Sequence, residues 1–127
     1  MIHGEYSING QTIHIINGYF PQGEGRAHPT KFPAKEKFYA DLTAYLGNTF
    51  SAKDLVIVMG DMNVAPADID VGIKPENAKR WLKTGKSAFL PEEREWLGKF
   101  IDSGFIDSFR HIHPELQQYS WWSYRAN

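Results

Sequence analysis

The chain has 127 residues, of which 42% are hydrophobic and 23% charged, with a net charge of −1. That balance describes one ordinary globular domain and excludes a disordered chain; with so little net charge, only a local patch can attract nucleic acid. The absence of cysteine excludes disulfides, thiol catalysis and cysteine-ligated zinc, and fits a reducing compartment.

No secretory leader is expected at Met1, and the apolar run Leu55–Met59 is too short to span a bilayer. Strand-like stretches Ile2–Ser7 and Thr12–Tyr19 open the chain, and Asn9-Gly10 between them signals a hairpin. His3 and His14 on this hairpin are read as outward-facing. Residues 19–26, YFPQGEGR, form a loop by their glycines and proline. A helix is predicted from Pro33 to Asn48, with Phe38, Leu42, Tyr45, Leu46 and Thr49 on one stripe.

Next, the β-branched run Leu55–Met59 predicts a central strand buried on both faces. It leads into Gly60, Asp61 and Asn63. If the chain stays extended there, Asp61 and Asn63 project to the same side, about 6–7 Å apart at the backbone. They can then converge on one phosphate or one hydrated cation. The alternative is a turn, since Asp and Asn bond their own backbone in loops.

Residues 64–88 read as irregular, with a short helical piece near Glu76–Leu82. Asp68 and Asp70 are expected to stabilise that loop, and Trp81 and Phe89 to belong to the core. Pro91-Glu92-Glu93 opens a second long helix, Trp96, Leu97, Phe100 and Ile101 face inward, and Gly104 ends it. His111 and His113 stand two apart, a spacing that could suggest a metal site. YSWWSY, Tyr119–Tyr124, reads as a last aromatic strand, in which alternation turns one of Trp121 and Trp122 inward and the other out. Strands alternate with helices, so the predicted class is α/β or α+β.

Two groups of basic residues stand out. Arg26, Lys31, Lys35 and Lys37 surround the first loop and helix start, where His28 is a further candidate phosphate contact. Lys74, Lys79, Arg80, Lys83 and Lys86 share a segment in which Glu76 alone opposes them. Such clustering is either a solvated face or the footprint of a phosphate-binding surface.

The segments INGYFPQGEGR, HPTKFPAKEKFY, GDMN, RWLKTGKSAFLPEEREW, DSFRHIHP and YSWWSYR resemble, in order, those of the exonuclease III family. These are DNA-repair nucleases of the endonuclease/exonuclease/phosphatase superfamily. KFPAK and FLPEEREW point to that branch, whereas GDMN is shared across the superfamily. The resemblance implies a two-sheet α/β sandwich flanked by helices, with residues 1–127 forming a single partial domain truncated at both ends. It implies a cytoplasmic Mg²⁺- (or Mn²⁺-) dependent 3′→5′ exonuclease on duplex DNA that also cleaves at abasic sites.

By the same resemblance, Asp61 orients or deprotonates the attacking water. Asn63 holds the phosphate beside the metal, so Asp61 and Asn63 are its ligands here. Tyr19 is the phenol approaching the scissile phosphate. Gln22 and Arg26 contact DNA, Lys83 and Lys86 face phosphates, and Trp121 lines the pocket for an abasic sugar. The family's asparagine and metal-binding glutamate precede the matched region, and its essential histidine follows it. Little nuclease activity, weak Mg²⁺ binding and self-association through exposed core are therefore expected of these 127 residues alone. A non-catalytic DNA-binding remnant and a small-substrate phosphatase of the same superfamily are the alternatives; KFPAK and FLPEEREW argue against the phosphatase.

Overall fold

The computed structural model describes residues 1–120. β1 (Ile2–Ile8) and β2 (Gln11–Tyr19) form the predicted hairpin. Asn9 and Gly10 turn it with φ of 51° and 78°, the two left-handed positions that a tight two-residue turn requires. α1 (Lys31–Thr49) then crosses over, which a parallel connection needs, and β3 (Leu55–Asp61) pairs parallel to β2. The sheet order is β1-β2-β3. A 3₁₀ turn (Asp68–Asp70), α2 (Pro75–Thr84), α3 (Pro91–Asp102) and α4 (Ser108–Ile112) complete the described residues. The class is mixed α/β, as expected. None of these helices is long and apolar enough to cross a membrane.

The core lies between the sheet and the helices. Ile16 of β2 and Phe20 just beyond it meet Tyr39, Leu42 and Leu46 of α1 and Leu97 and Phe100 of α3. On α1 the buried positions are Phe32, Lys35, Tyr39, Leu42 and Leu46, spaced by three and four in turn. The predicted stripe was therefore rotated: Tyr45 and Thr49 are exposed and Tyr39 is buried. Tyr39 tolerates burial because its hydroxyl donates to the Met62 carbonyl at 2.7 Å. His3 is exposed as expected, whereas His14 is half-buried; both lie on the helix side of the sheet, with their rings against Phe50.

β3 is an edge strand among the described residues rather than a central one. Val56 and Val58 pack toward the core. Leu55, Ile57 and Met59 are 45%, 49% and 48% exposed on the opposite face, which by register also carries Ile2, Tyr6 and Ile8 of β1. A continuous apolar run shows that both faces of a strand are apolar; it does not show that both are covered. Tyr119 and Ser120 lie outside regular structure. The rest of the predicted last strand, including Trp121 and Trp122, lies outside the described residues.

Candidate active site

β2 and β3 end side by side, and Tyr19 is the register partner of Asp61. The Phe20 amide closes the pair by donating to the Asp61 carbonyl at 3.0 Å. Gly60 makes this approach possible. Its φ is +133°, and a Cβ there would lie 1.8 Å from the Gly18 carbonyl oxygen. Tyr19, 71% exposed, and Asp61 are thus brought together at the carboxyl end of a parallel strand pair, a common position for ligand sites in α/β sheets.

Asp61 and Asn63 do not project in parallel from an extended strand. The strand ends at Asp61, and Asn63 takes a φ of 54°, a left-handed conformation that asparagine accepts more readily than most residues. The Asn63 amide donates to Asp61 Oδ1 at 3.0 Å, so the pair is a turn. The turn also orients the site: Asn63 Nδ2 donates to the Phe20 carbonyl at 2.8 Å, fixing the side chain over the end of β2. This leaves Asn63 Oδ1, its second amide hydrogen and Asp61 Oδ2 for a ligand. Two hard oxygens suit Mg²⁺, but only one of them is anionic.

Beneath these loops lies a buried ion pair absent from the expected site. Lys35 and Glu93 both have 0% side-chain exposure and meet at 2.6 Å. Lys35 Nζ also donates to the Asn63 carbonyl at 2.8 Å, to Ser87 Oγ at 3.1 Å and, at the long distance of 3.4 Å, to the Gln22 carbonyl. Glu93 accepts from the Ser87 hydroxyl and from the Ala88 and Leu90 amides. Lys35, grouped by sequence with the surface bases, is therefore an internal tie between three loops. Burial pushes its ammonium pKa down, opposed by Glu93 and then by Asp61. The available signal was its place on the buried stripe of α1.

The other predicted contacts surround this tie. The Gln22 side chain caps its own loop, accepting from the Glu24 amide at 3.0 Å. The Arg26 amide donates to the Gly85 carbonyl at 2.7 Å and the Ser87 amide to the Glu24 carbonyl at 3.2 Å. Arg26 and Lys86 are therefore on neighbouring segments. Lys83 is exposed in the last turn of α2. Lys86 Nζ lies 3.9 Å over the Trp81 ring, which stacks on the buried Phe89. Arg26 is engaged already: its Nε and Nη2 bind Glu92 at 2.5 and 2.8 Å. His28 Nδ1 accepts from the Lys31 amide at 3.1 Å, so it serves the start of α1. Asp68 and Asp70 are held by Arg94 and Arg110 and stabilise their loop as expected. His111 and His113 belong to no potential metal cluster among the described residues. Trp121 lies outside them.

Hydrogen bonds from Arg26 hold the Glu92 carboxyl below its usual range. Such a group stabilises the fold above its unfolded value of about 4.5 and loses that contribution as pH falls through the lower folded value. Solvent screening limits this for Glu92 to about 0.5 kcal/mol. Urea denaturation at about pH 7 and about pH 3 should show an acid-induced loss that is smaller in Arg26→Ala by that amount. An identical loss in the variant would show the pair to be thermodynamically silent.

The sequence model of the Endonuclease/Exonuclease/phosphatase family matches residues 3–127. Exodeoxyribonuclease III of Haemophilus influenzae is 57% identical over 113 residues, covering 88% of this chain and 42% of that protein. An AP endonuclease structure from Archaeoglobus fulgidus superposes with a TM-score of 0.81 at 32% identity, covering 97% of this chain and 44% of that one. A 3′-5′ exonuclease structure from Neisseria meningitidis gives 0.78 at 35% identity, covering 90% and 42%. The chain thus spans less than half the length of each of these relatives.

Proposed function

We propose, from the premise that this chain belongs to the endonuclease/exonuclease/phosphatase family, that it hydrolyses DNA phosphodiesters by metal-assisted attack of water. Its substrates are duplex 3′ ends and abasic sites, and its 127 residues form part of a single domain of that family. The carrying observation is the convergence of Tyr19, Asp61 and Asn63 at the paired ends of β2 and β3. The names of the relatives, an exodeoxyribonuclease and an AP endonuclease, support the same reading.

Asp61 Oδ2 accepts the proton of the attacking water or orients it. Asn63 donates its remaining amide hydrogen to a phosphoryl oxygen; an amide does not titrate, so it stays a donor as charge develops. Tyr19 presents its phenol to the same phosphate. Asn63 Oδ1 and the second lone pair of Asp61 Oδ1 would hold Mg²⁺ or Mn²⁺, and the ion, when bound, would stabilise charge on the phosphoryl oxygens. The exposed bases Lys79, Arg80 and Lys83 of α2, and Lys86 just beyond it, meet the backbone of the duplex, while Gln22 and Arg26 contact it from the facing loop. Trp121 supplies the aromatic wall for the abasic sugar. The lack of cysteine suits a cytoplasmic setting, and the exposed outer face of the sheet supports self-association.

Anisotropy titrations of an abasic-site duplex against salt test the reading. Lys83→Ala and Lys86→Ala should each weaken binding and reduce the salt slope by about one. Unchanged slopes would make α2 a solvated face. Incision by this chain, however slow, should require Mg²⁺ and vanish in Asp61→Asn with binding retained. Incision that survives Asp61→Asn would overturn the role of that carboxylate, and binding with no incision even after the family's flanking segments are supplied would favour a DNA-binding protein.

A further inference from the structure

A second polar constellation lies on the hairpin, five residues back along β2 from Tyr19, or about 16 Å at the strand rise. His3 and Glu5 alternate onto the same side of β1, and Glu5 is the register partner of His14 on β2. His3 Nε2 lies 3.1 Å from His14 Nδ1, and His14 Nδ1 lies 3.6 Å from Glu5 Oε1. One ligand atom from each residue falls within 4.8 Å of the other two.

We propose that His3, Glu5 and His14 form a binding site for a divalent metal ion of the zinc type. Two imidazole nitrogens and a carboxylate oxygen, with water in the fourth position, are a recurrent zinc donor set. Tetrahedral bonds of 2.0–2.1 Å place ligand atoms about 3.3 Å apart, close to the spacings of 3.1 and 3.6 Å seen here. The third spacing, between His3 and Glu5, is at most 4.8 Å, and side-chain adjustment on adjacent strands closes it. Mg²⁺ prefers oxygen ligands and octahedral geometry, so the site discriminates against the ion proposed for Asp61 and Asn63.

The surroundings suit such a site. The Tyr45 hydroxyl is 3.5 Å from His3 Nδ1, the ring nitrogen that would not bind metal; outer partners of this kind orient ligating histidines. The Phe50 ring packs on both imidazoles, with centroids at 5.7 and 4.7 Å, and restricts their rotation. An ion here would fasten the edge strand β1 to β2 beside the end of α1. It would stabilise the hairpin by an amount that grows with the logarithm of the free ion concentration above the dissociation constant. Without an ion, the same residues form a histidine–histidine contact and a surface ion pair, which is the reading the test must exclude.

The test uses the 127-residue chain, with Zn²⁺ titrated in competition with a chromophoric chelator and Co²⁺ titrated by visible absorption. The expected result is one ion per chain with a dissociation constant on the order of micromolar. His3→Ala and His14→Ala should each weaken binding at least about tenfold, and Glu5→Gln should weaken it less. Asp61→Asn should leave it unchanged, which separates this site from the hydrolytic centre. Failure to saturate below about 100 µM Zn²⁺, or equal affinity in the His3→Ala/His14→Ala double variant, would overturn the proposal. Glu5→Gln, at an exposed position, keeps the test decisive if the double variant folds poorly: unchanged affinity and an unchanged Co²⁺ spectrum would also count against it.

Discussion

Lys35→Met will destabilise the protein by about 3–5 kcal/mol, the cost of breaking a buried ion pair from one side. The substitution leaves Glu93 buried, without a counter-charge, and the Asn63 carbonyl without its donor. Buried groups stripped of partners carry their full desolvation penalty. Urea denaturation at constant slope measures the loss. Adding Glu93→Gln should recover part of it, since the stranded charge is removed while the Ala88 and Leu90 amides keep an acceptor. A loss below about 1 kcal/mol would mean that water reaches the pair and that it behaves as a surface one.

Gly60→Ala will cost about 3–5 kcal/mol, from a strained backbone conformation together with steric overlap. For a domain of this size that is a large part of the total stability. The added methyl would lie 1.8 Å from the Gly18 carbonyl oxygen, and backbone cannot move aside without parting β2 from β3. Gly98→Ala is the matched control. Gly98 lies within α3 and has open space where a Cβ would go, so alanine there should stabilise by about 0.5–1 kcal/mol. Thermal melts of the two variants should move in opposite directions. Equal melting points for Gly60→Ala and the parent would refute the requirement for glycine.

The local punctuation of the fold was legible in the sequence. Asn9-Gly10 marks the hairpin turn, and Pro91 marks the start of α3. These signals depend on a few adjacent residues, and tertiary contacts do not reverse them. Asp61 and Asn63 were legible as a pair but not as a geometry. Alternation along a strand applies only while the chain stays extended, and the left-handed Asn63 ends that extension. Lys35, Ser87 and Glu93 escaped because charged and hydroxyl side chains read as solvated. Their burial depends on partners up to 58 residues away in sequence. The phase of the α1 stripe offered a correction, since position 35 falls in line with Phe32, Tyr39 and Leu42. Arg26 read as a free cation because nothing local announces that Glu92, 66 residues on, will bind it.

The outer face of the sheet has a thermal consequence. Leu55, Ile57, Met59, Ile2, Tyr6 and Ile8 present a largely apolar surface to solvent, interrupted by Gln11 and Asn17. Any surface that covers it gains mainly by removing hydrocarbon from water. Such attachment carries a negative heat-capacity change and weakens on cooling. The charged face of α2 would depend on conditions in the opposite way: salt weakens the attraction of such a surface for phosphate, whereas excluded salts such as sulfate tighten apolar burial. Temperature and ionic strength therefore act on two different surfaces of the same small molecule, and a buffer that favours covering the one works against charge attraction at the other.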